Sequence, residues 1–264
     1  MNAPTAARST DDPGEPLREE SGWFGFQAIN PLAKAHLVRG VFESVASRYD
    51  LMNDLMSGGI HRLWKRTMVD WLAPRPGLAL IDVAGGTGDI AFRVHDRVKG
   101  QADLLVVDAT PAMLEVGRDR AIDRGLLSQI RWAAGNAERL PVRSQSYDAV
   151  TIAFGLRNVT VLDRALAEMR RVLKPGGRFL CLEFSTVVVP LLDRLYELYS
   201  FNVLPLLGAA VVGDRASYQY LVESIRKFPA QEELAERMRK AGLEQVKVRN
   251  LSGGIAALHS AWRL

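Results

Sequence analysis

The stretch Asp82-Val83-Ala84-Gly85-Gly86-Thr87-Gly88-Asp89 decides how this chain folds. An apolar run, Leu78-Ala79-Leu80-Ile81, leads into it and reads as a strand. Ile90-Ala91-Phe92-Arg93-Val94 follows, with spacing that suits the first turns of a helix. Strand, glycine-rich turn, helix is how an open α/β sheet builds a nucleotide site, because glycine lets the backbone take positive φ and approach a ligand closely.

Two ligand classes fit the turn. Gly86-x-Gly88-x-x-Ala91 satisfies the relaxed dinucleotide fingerprint. Asp82-x-Ala84-x-Gly86-x-Gly88 equally fits the acidic-led loop that cradles S-adenosylmethionine. Asp108, about twenty residues beyond Gly88, can accept ribose hydroxyls, but both ligands carry a ribose.

The rest of the chain extends the alternation. Strands are expected at 78–83, 103–108, 130–134, 147–153 and 178–184, with helices at 89–98, 111–124 and 161–173. Thr110 and Pro111 read as N-cap and first-turn proline. Lys174-Pro175-Gly176-Gly177 reads as a turn that ends a helix. The fold expected is α/β: a Rossmann-like, seven-stranded, mostly parallel sheet with helices on both faces. A helix at 231–241 and strands at 244–250 and 255–262 would close it with an antiparallel hairpin. Residues 32–73 read as amphipathic helices forming an N-terminal lid, and 187–228 as an apolar insertion facing substrate or membrane. One domain is expected over 23–264 after a disordered acidic tail, 1–22.

Composition bounds the function. The 264 residues are 48% hydrophobic and 24% charged, as in ordinary globular proteins. The tail sets Arg8 and Arg18 against five carboxylates, so the net +4 becomes +7 over the rest. That charge is compatible with an anionic membrane surface, but no clustered basic tract with interleaved aromatics points to nucleic acid. Cys181 is the only cysteine and sits in an apolar run, so it reads as a buried, inert thiol in a reducing compartment. No metal-ligand spacing is present, nor any signal peptide or membrane-spanning run.

Gly135-Asn136-Ala137-Glu138 after the third strand, Tyr147-Asp148-Ala149-Val150 opening the fourth, and Arg170–Arg178 before the fifth resemble the S-adenosylmethionine-dependent methyltransferases. Longer motifs narrow this. Phe24-Gly25-Phe26, the runs 41–54 and 59–66, Phe154–Val159, Leu182-Glu183-Phe184-Ser185, the run 218–226 and Ala256–His259 resemble the UbiE-type family of ubiquinone/menaquinone biosynthesis C-methyltransferases.

The resemblance implies a cofactor site at Thr87, Asp108, Asn136 and Ala137, beside Asp82, Gly86 and Gly88 of the loop. Ala153 stands where some relatives carry Ser, so any contact there is backbone or apolar. The implied reaction moves a methyl to a ring carbon of a prenylated quinol. Arg157 is the first candidate to stabilise quinolate charge, or else a clamp on a neighbouring carboxylate; Asn158 is a holder of a ring oxygen or water. Tyr49, Asp50 and His61 are candidate lid or base residues, and Asp89 either binds the donor's amino group or serves its own helix. The 187–212 run with Phe42, Trp64 and Trp71 is the expected path for the prenyl tail. Arg62, Lys65 and Arg66 are expected to help at the inner membrane face of a cytoplasmic enzyme. Expected partners are the quinol lipid, other quinone-biosynthesis enzymes or a second copy, and not nucleic acid. Competing readings are methylation of another acceptor, such as nucleic acid, and a non-catalytic quinone-binding scaffold.

Overall fold

The computed structural model describes residues 22–46, 51, 53–54, 57–187 and 215–264. The acidic tail, Tyr49, Asp50 and the bulk of the apolar insertion lie outside the described residues. The described residues open with a small hairpin, β1 (Gly22–Phe24) and β2 (Gln27–Ile29), then α1 (Pro31–Val45) and α2 (His61–Leu72). The alternating core follows: β3 (Leu78–Val83), α3 (Asp89–Arg97), β4 (Ala102–Asp108), α4 (Pro111–Asp123), β5 (Ile130–Ala134), β6 (Tyr147–Ala153), α5 (Leu162–Val172) and β7 (Leu173–Phe184). It ends with α6 (Arg215–Lys227), α7 (Gln231–Lys240), β8 (Glu244–Leu251) and β9 (Ala256–Arg263).

The seven-stranded sheet runs β5-β4-β3-β6-β7-β9-β8. Its strands are parallel except β9, which is antiparallel to both neighbours. Alternate residues of each strand serve opposite faces. Leu80, Leu104, Leu180 and Leu258 pack with Trp64, Phe92, Phe154 and Phe184 on one side. Ile81, Leu105, Val150 and Cys181 pack with Leu166, Met169 and Met238 on the other. Burial pushes the Cys181 thiol well up, which leaves it an unreactive core group.

The structure departs from the sequence reading in four places. The Lys174-Pro175-Gly176-Gly177 turn lies inside β7, where the register jumps from Tyr147↔Leu173 to Ala149↔Arg178. Proline and glycine are tolerated there because the irregularity removes the need for ladder bonds. Thr110 occupies the N-cap position of α4 but makes no capping bond; its side chain bonds Asp108 instead. The hairpin at 22–29 was not expected: its short strands are marginal alone and depend on packing against α6. The fourth departure is the helical stretch 32–73, which divides in two. In α2, Trp64, Met68, Val69 and Leu72 enter the core, and among the described residues of this stretch it is α1 that lines the cleft.

Candidate functional site

Strand β3 starts the sheet, with β4 and β5 added outward on one side and β6 and β7 on the other. Such a reversal opens a crevice at the strands' carboxyl ends. The 82–89 turn sits in it. Ala84 (φ 48°), Gly86 (φ 54°) and Gly88 (φ 83°) all take left-handed backbone, which folds the turn tightly. Gly85 N–H donates to Val107 O at 3.2 Å, and Gly88 N–H to Gly85 O at 2.8 Å.

Asp108 organises the turn from the neighbouring strand. Its Oδ2 accepts the Gly86 N–H at 2.9 Å and its Oδ1 the Thr110 N–H at 2.8 Å. Burial raises the Asp108 carboxyl; the N–H groups of Thr110 and Gly86 oppose that rise. A cleft of about 510 Å3 opens above it. Its floor is closely packed: a Cβ on Gly155 would meet the Ala84 Cβ at 2.5 Å, and one on Gly86 the Met113 Cε at 2.9 Å. Asn136 and Ala137 line the far end. Asn136 Oδ1 accepts the Glu138 N–H at 2.8 Å, and Glu138 Oε1 accepts the Thr160 and Val161 N–H groups at 2.7 and 3.1 Å. That carboxylate serves the N-terminus of α5 and joins the two loops that face each other across the cleft.

Helix α1 forms the roof with Ala35, Val38, Arg39 and Phe42. Lys34 Nζ donates to Val159 O at 2.6 Å and so fastens α1 to the opposite rim. Burial lowers the Lys34 ammonium, with Glu138 opposing. Of the two expected greasy-path tryptophans neither faces the cleft. Trp64 is core and donates to Ser252 Oγ at 3.0 Å, and Trp71 lies between Arg178 and Arg249.

Gly86, Asp108, Asn136, Ala137 and Asn158 therefore come together on one cleft. Other expected residues do not line it. Asp82 is buried under the turn, accepting the Thr151 hydroxyl at 2.7 Å, while its Oδ2 has no partner. Thr87 Oγ1 accepts from Arg120 at 3.0 Å, and Gly88 lies against the Trp132 ring. These two shape the turn from behind. Ala153 packs against the core instead.

Arg157 takes the second of its two expected roles, the clamp on a carboxylate. Its Nη1 lies 2.6 Å from Glu183 Oε1, with side chains 2% and 1% exposed, and donates also to Phe154 O at 2.7 Å. A guanidinium so enclosed acts as the clamp on the short 3-10 turn Leu156–Asn158 rather than reaching a ligand. Glu183 was not singled out for a role, although a lone acid in the apolar run Phe179–Phe184 signals a buried partner. Asn158 does line the cleft, and its Oδ1 accepts the Tyr220 hydroxyl at 3.0 Å.

His61 is likewise displaced from the cleft. It starts α2 and borders a separate groove with Asp89, Arg93 and Arg120. Its Nε2 is 2.8 Å from Asp54, yet burial and then Lys65 lower its pKa, which disfavours the charged ring. Asp89 is held by Lys65 at 2.8 Å and Arg93 at 2.7 Å. Burial alone would raise its carboxyl; the two cations outweigh it and bring it to about 2. Lys65 is thereby buried and unavailable to a membrane. No group of acids, histidines and cysteines suited to a metal occurs among the described residues.

Comparison with known proteins agrees with this architecture. The model of the ubiE/COQ5 methyltransferase family matches residues 31–263. A Brucella abortus (strain S19) protein named ubiquinone/menaquinone biosynthesis C-methyltransferase UbiE is 56% identical over 243 residues, covering 91% of this chain and 90% of its own length. The protein of that name from Brucella anthropi is 55% identical over 243 residues, covering 91% and 92%. Among solved structures, a Thermotoga maritima S-adenosylmethionine-dependent methyltransferase matches with a TM-score of 0.62 at 21% identity, covering 86% of this chain and all of that one. The cyclase SpnF matches at 0.63 and 17% identity, covering 87% and 96%. These two likenesses speak to fold alone. The matched family model and the two relatives span nearly the whole chain, and this protein belongs to the ubiE/COQ5 methyltransferase family.

Proposed function

We propose that this chain methylates a ring carbon of a prenylated quinol in ubiquinone/menaquinone biosynthesis, with S-adenosylmethionine as methyl donor. The acceptor is 2-methoxy-6-polyprenyl-1,4-benzoquinol, demethylmenaquinol or both. The observation that carries this is the 56% identity, over 243 residues, to a relative named for that activity.

The cleft suits the donor. A volume of about 510 Å3 is in the range of small-molecule sites. Asp108 takes the Gly86 and Thr110 N–H groups on its two oxygens, with the Thr110 hydroxyl and the Ala109 N–H also bonded to this carboxylate, and its remaining acceptor capacity is assigned to a ribose hydroxyl. Asn136 and Ala137 border the expected place of an adenine edge, and Gly86 and Gly155 line the same cleft. When bound, S-adenosylmethionine supplies an electrophilic methyl on a sulfonium.

The chain's own task is to orient the ring and favour its phenolate form. A free phenol has a pKa near 10, so a donor at the ring oxygen assists at neutral pH. Asn158 faces the cleft and can provide that donor through its amide N–H groups. The ring proton is assigned to water: of the carboxylates that line the cleft, Asp108 holds the glycine turn and Glu138 the Thr160 and Val161 N–H groups, while Arg157 and Glu183 behind it are locked together. The roof residues Val38 and Phe42 offer an apolar surface to the ring or the start of its tail.

Peripheral contact with the inner membrane face belongs to the same proposal. No helix among the described residues is long and apolar enough to cross a membrane. Exposed Phe26, Leu37 and Leu63, together with the exposed cations Arg62 and Arg66, support contact with a lipid surface. Flotation with anionic and neutral liposomes tests it, and absence of binding to both removes it.

The decisive assay supplies methyl-labelled S-adenosylmethionine with each quinol in turn, followed by mass spectrometry of the lipid. Label on one or both quinols is expected. Label on RNA or protein, with none on either quinol, overturns the reading.

A further inference from the structure

We infer that Tyr220 is a positioning residue for the methyl-transfer site, and that the N-terminal hairpin is the device that holds Tyr220 in place. The inference rests on the reading above in which Asn158 faces a ring oxygen, and it adds a residue and an element to that site.

Tyr220 lies on α6, 62 residues from Asn158 in sequence, and its hydroxyl reaches Asn158 Oδ1 at 3.0 Å. It is only 3% exposed and does not line the cleft, whereas Asn158 does. A side-chain amide has one acceptor end and one donor end. With the hydroxyl on Oδ1, the acceptor end is engaged away from the cleft. The two amide hydrogens are then left to the ligand side, where a phenolic oxygen gaining negative charge needs donors. Burial, the largest influence on Tyr220, raises its pKa far above the usual phenol range, so this donor keeps its proton. Nothing in the arrangement depends on pH near neutrality.

The hairpin fixes the tyrosine. Phe24 stacks on the Tyr220 ring with centroids 4.3 Å apart and planes 15° from parallel. The hairpin tip is tied to the same helix one turn on: Phe26 N–H donates to Glu223 Oε2 at 3.1 Å. Gln219 Nε2 holds the other oxygen, Oε1, at 2.6 Å. Gly25 at the tip takes φ +58°, and a Cβ there would fall 2.0 Å from Glu223 Oε2, so contact this close requires glycine. Hairpin, α6 and Asn158 thus form one connected chain of contacts, which sets the direction of a single amide in the cleft.

Tyr220→Phe is the test, since it keeps the ring on Phe24 and removes one oxygen. The expected result is a fall in kcat of about tenfold, with S-adenosylmethionine affinity by calorimetry unchanged. In an Asn158→Ala background the same substitution should cost nothing further, because the group it positions is gone. Phe24→Ala should follow the same rule, lowering kcat only when Asn158 is present. In 15N-labelled protein, the Asn158 side-chain amide pair, assigned by its loss in Asn158→Asp, should shift in Tyr220→Phe. An unchanged kcat in Tyr220→Phe, an equal loss in the Asn158→Ala background, or an unmoved amide pair would each overturn the inference. If the wild-type enzyme turns over neither quinol, the proposed function fails, and the amide shift still decides whether Tyr220 orients Asn158.

Discussion

The Arg157 guanidinium and the Glu183 carboxylate meet at 2.6 Å in the core, with side chains 2% and 1% exposed. Glu183 Oε2 also accepts the Arg157 backbone N–H at 3.3 Å, and Oε1 the Phe184 N–H at 3.0 Å. One carboxylate therefore fixes both the side chain and the backbone of the turn that carries Asn158. Breaking such a pair leaves an uncompensated buried charge, which costs about 3–5 kcal/mol. Glu183→Gln and Arg157→Ala should each lower the denaturation midpoint markedly and reduce turnover by displacing Asn158. Arg157→Met with Glu183→Leu should recover stability but not turnover. Urea unfolding alongside the quinol assay checks this; an Arg157→Ala protein of wild-type stability that has lost turnover would instead place Arg157 on the substrate.

Asp108 should govern donor binding. Asp108→Ala removes the acceptor for Gly86 N–H, the acceptor for Thr110 N–H and the proposed ribose contacts at once. Hydrogen bonds to a charged group are worth about 1.5–3 kcal/mol each, so losing even one ribose contact should lower affinity by at least about tenfold. Calorimetric titration with S-adenosylmethionine reads the change. An affinity within twofold of wild type would remove Asp108 from the donor site.

The sheet was legible from the sequence because its strands are short apolar runs between strong punctuation. β3 and β6 match the expected spans to the residue, and the closing β8–β9 pair lies within a residue or two of its expected limits. The cleft residues legible beforehand are those that local pattern determines: Gly86 in the turn, Asp108 at a strand end, Asn136 and Ala137 after the next strand. What escaped depends on contacts far apart in sequence. Arg157 has the right chemistry for a quinolate, and only its 26-residue reach to Glu183 shows that it is already paired. Lys65 looks like a surface cation until Asp89, 24 residues on, is placed against it. The hairpin at 22–29 has no signal of its own strong enough to define it, since its stability comes from Tyr220 and Glu223.

Gly155 should be intolerant for a purely steric reason. Its backbone, φ −118° and ψ −24°, suits any residue, yet a Cβ would lie 2.5 Å from that of Ala84. Gly155→Ala should push the two loops apart and weaken donor binding by about tenfold, in line with the roughly 1–3 kcal/mol that overpacking costs. Ala84→Gly should rescue it by removing the opposing methyl. Alone, Ala84→Gly should change stability by less than about 1 kcal/mol, since relief of left-handed strain at φ 48° and added freedom in the unfolded chain oppose each other. Affinity measured for the two single variants and the double variant distinguishes this from a general folding defect, in which the second substitution would bring no recovery.

Asp82 links the turn to pH. Burial raises its carboxyl from 3.8 to about 7, against the lowering effect of the Thr151 hydrogen bond. Between those values the folded protein retains a proton that the unfolded chain has released. The Asp82 contribution to stability then falls as pH rises from about 4 to about 7, and levels off above. Asp82→Asn has no proton to lose, so its stability relative to wild type should grow across that interval and stay constant beyond it. Asp89, lowered to about 2, titrates below the window, and other groups cancel in the comparison of the two proteins. Urea midpoints of both proteins from pH 4.5 to 8.5 provide the measurement. A difference that is flat with pH would mean that Asp82 is ionised throughout. Its unpartnered Oδ2 would then be a buried charge braced by Lys65, not a proton carried beneath the glycine turn.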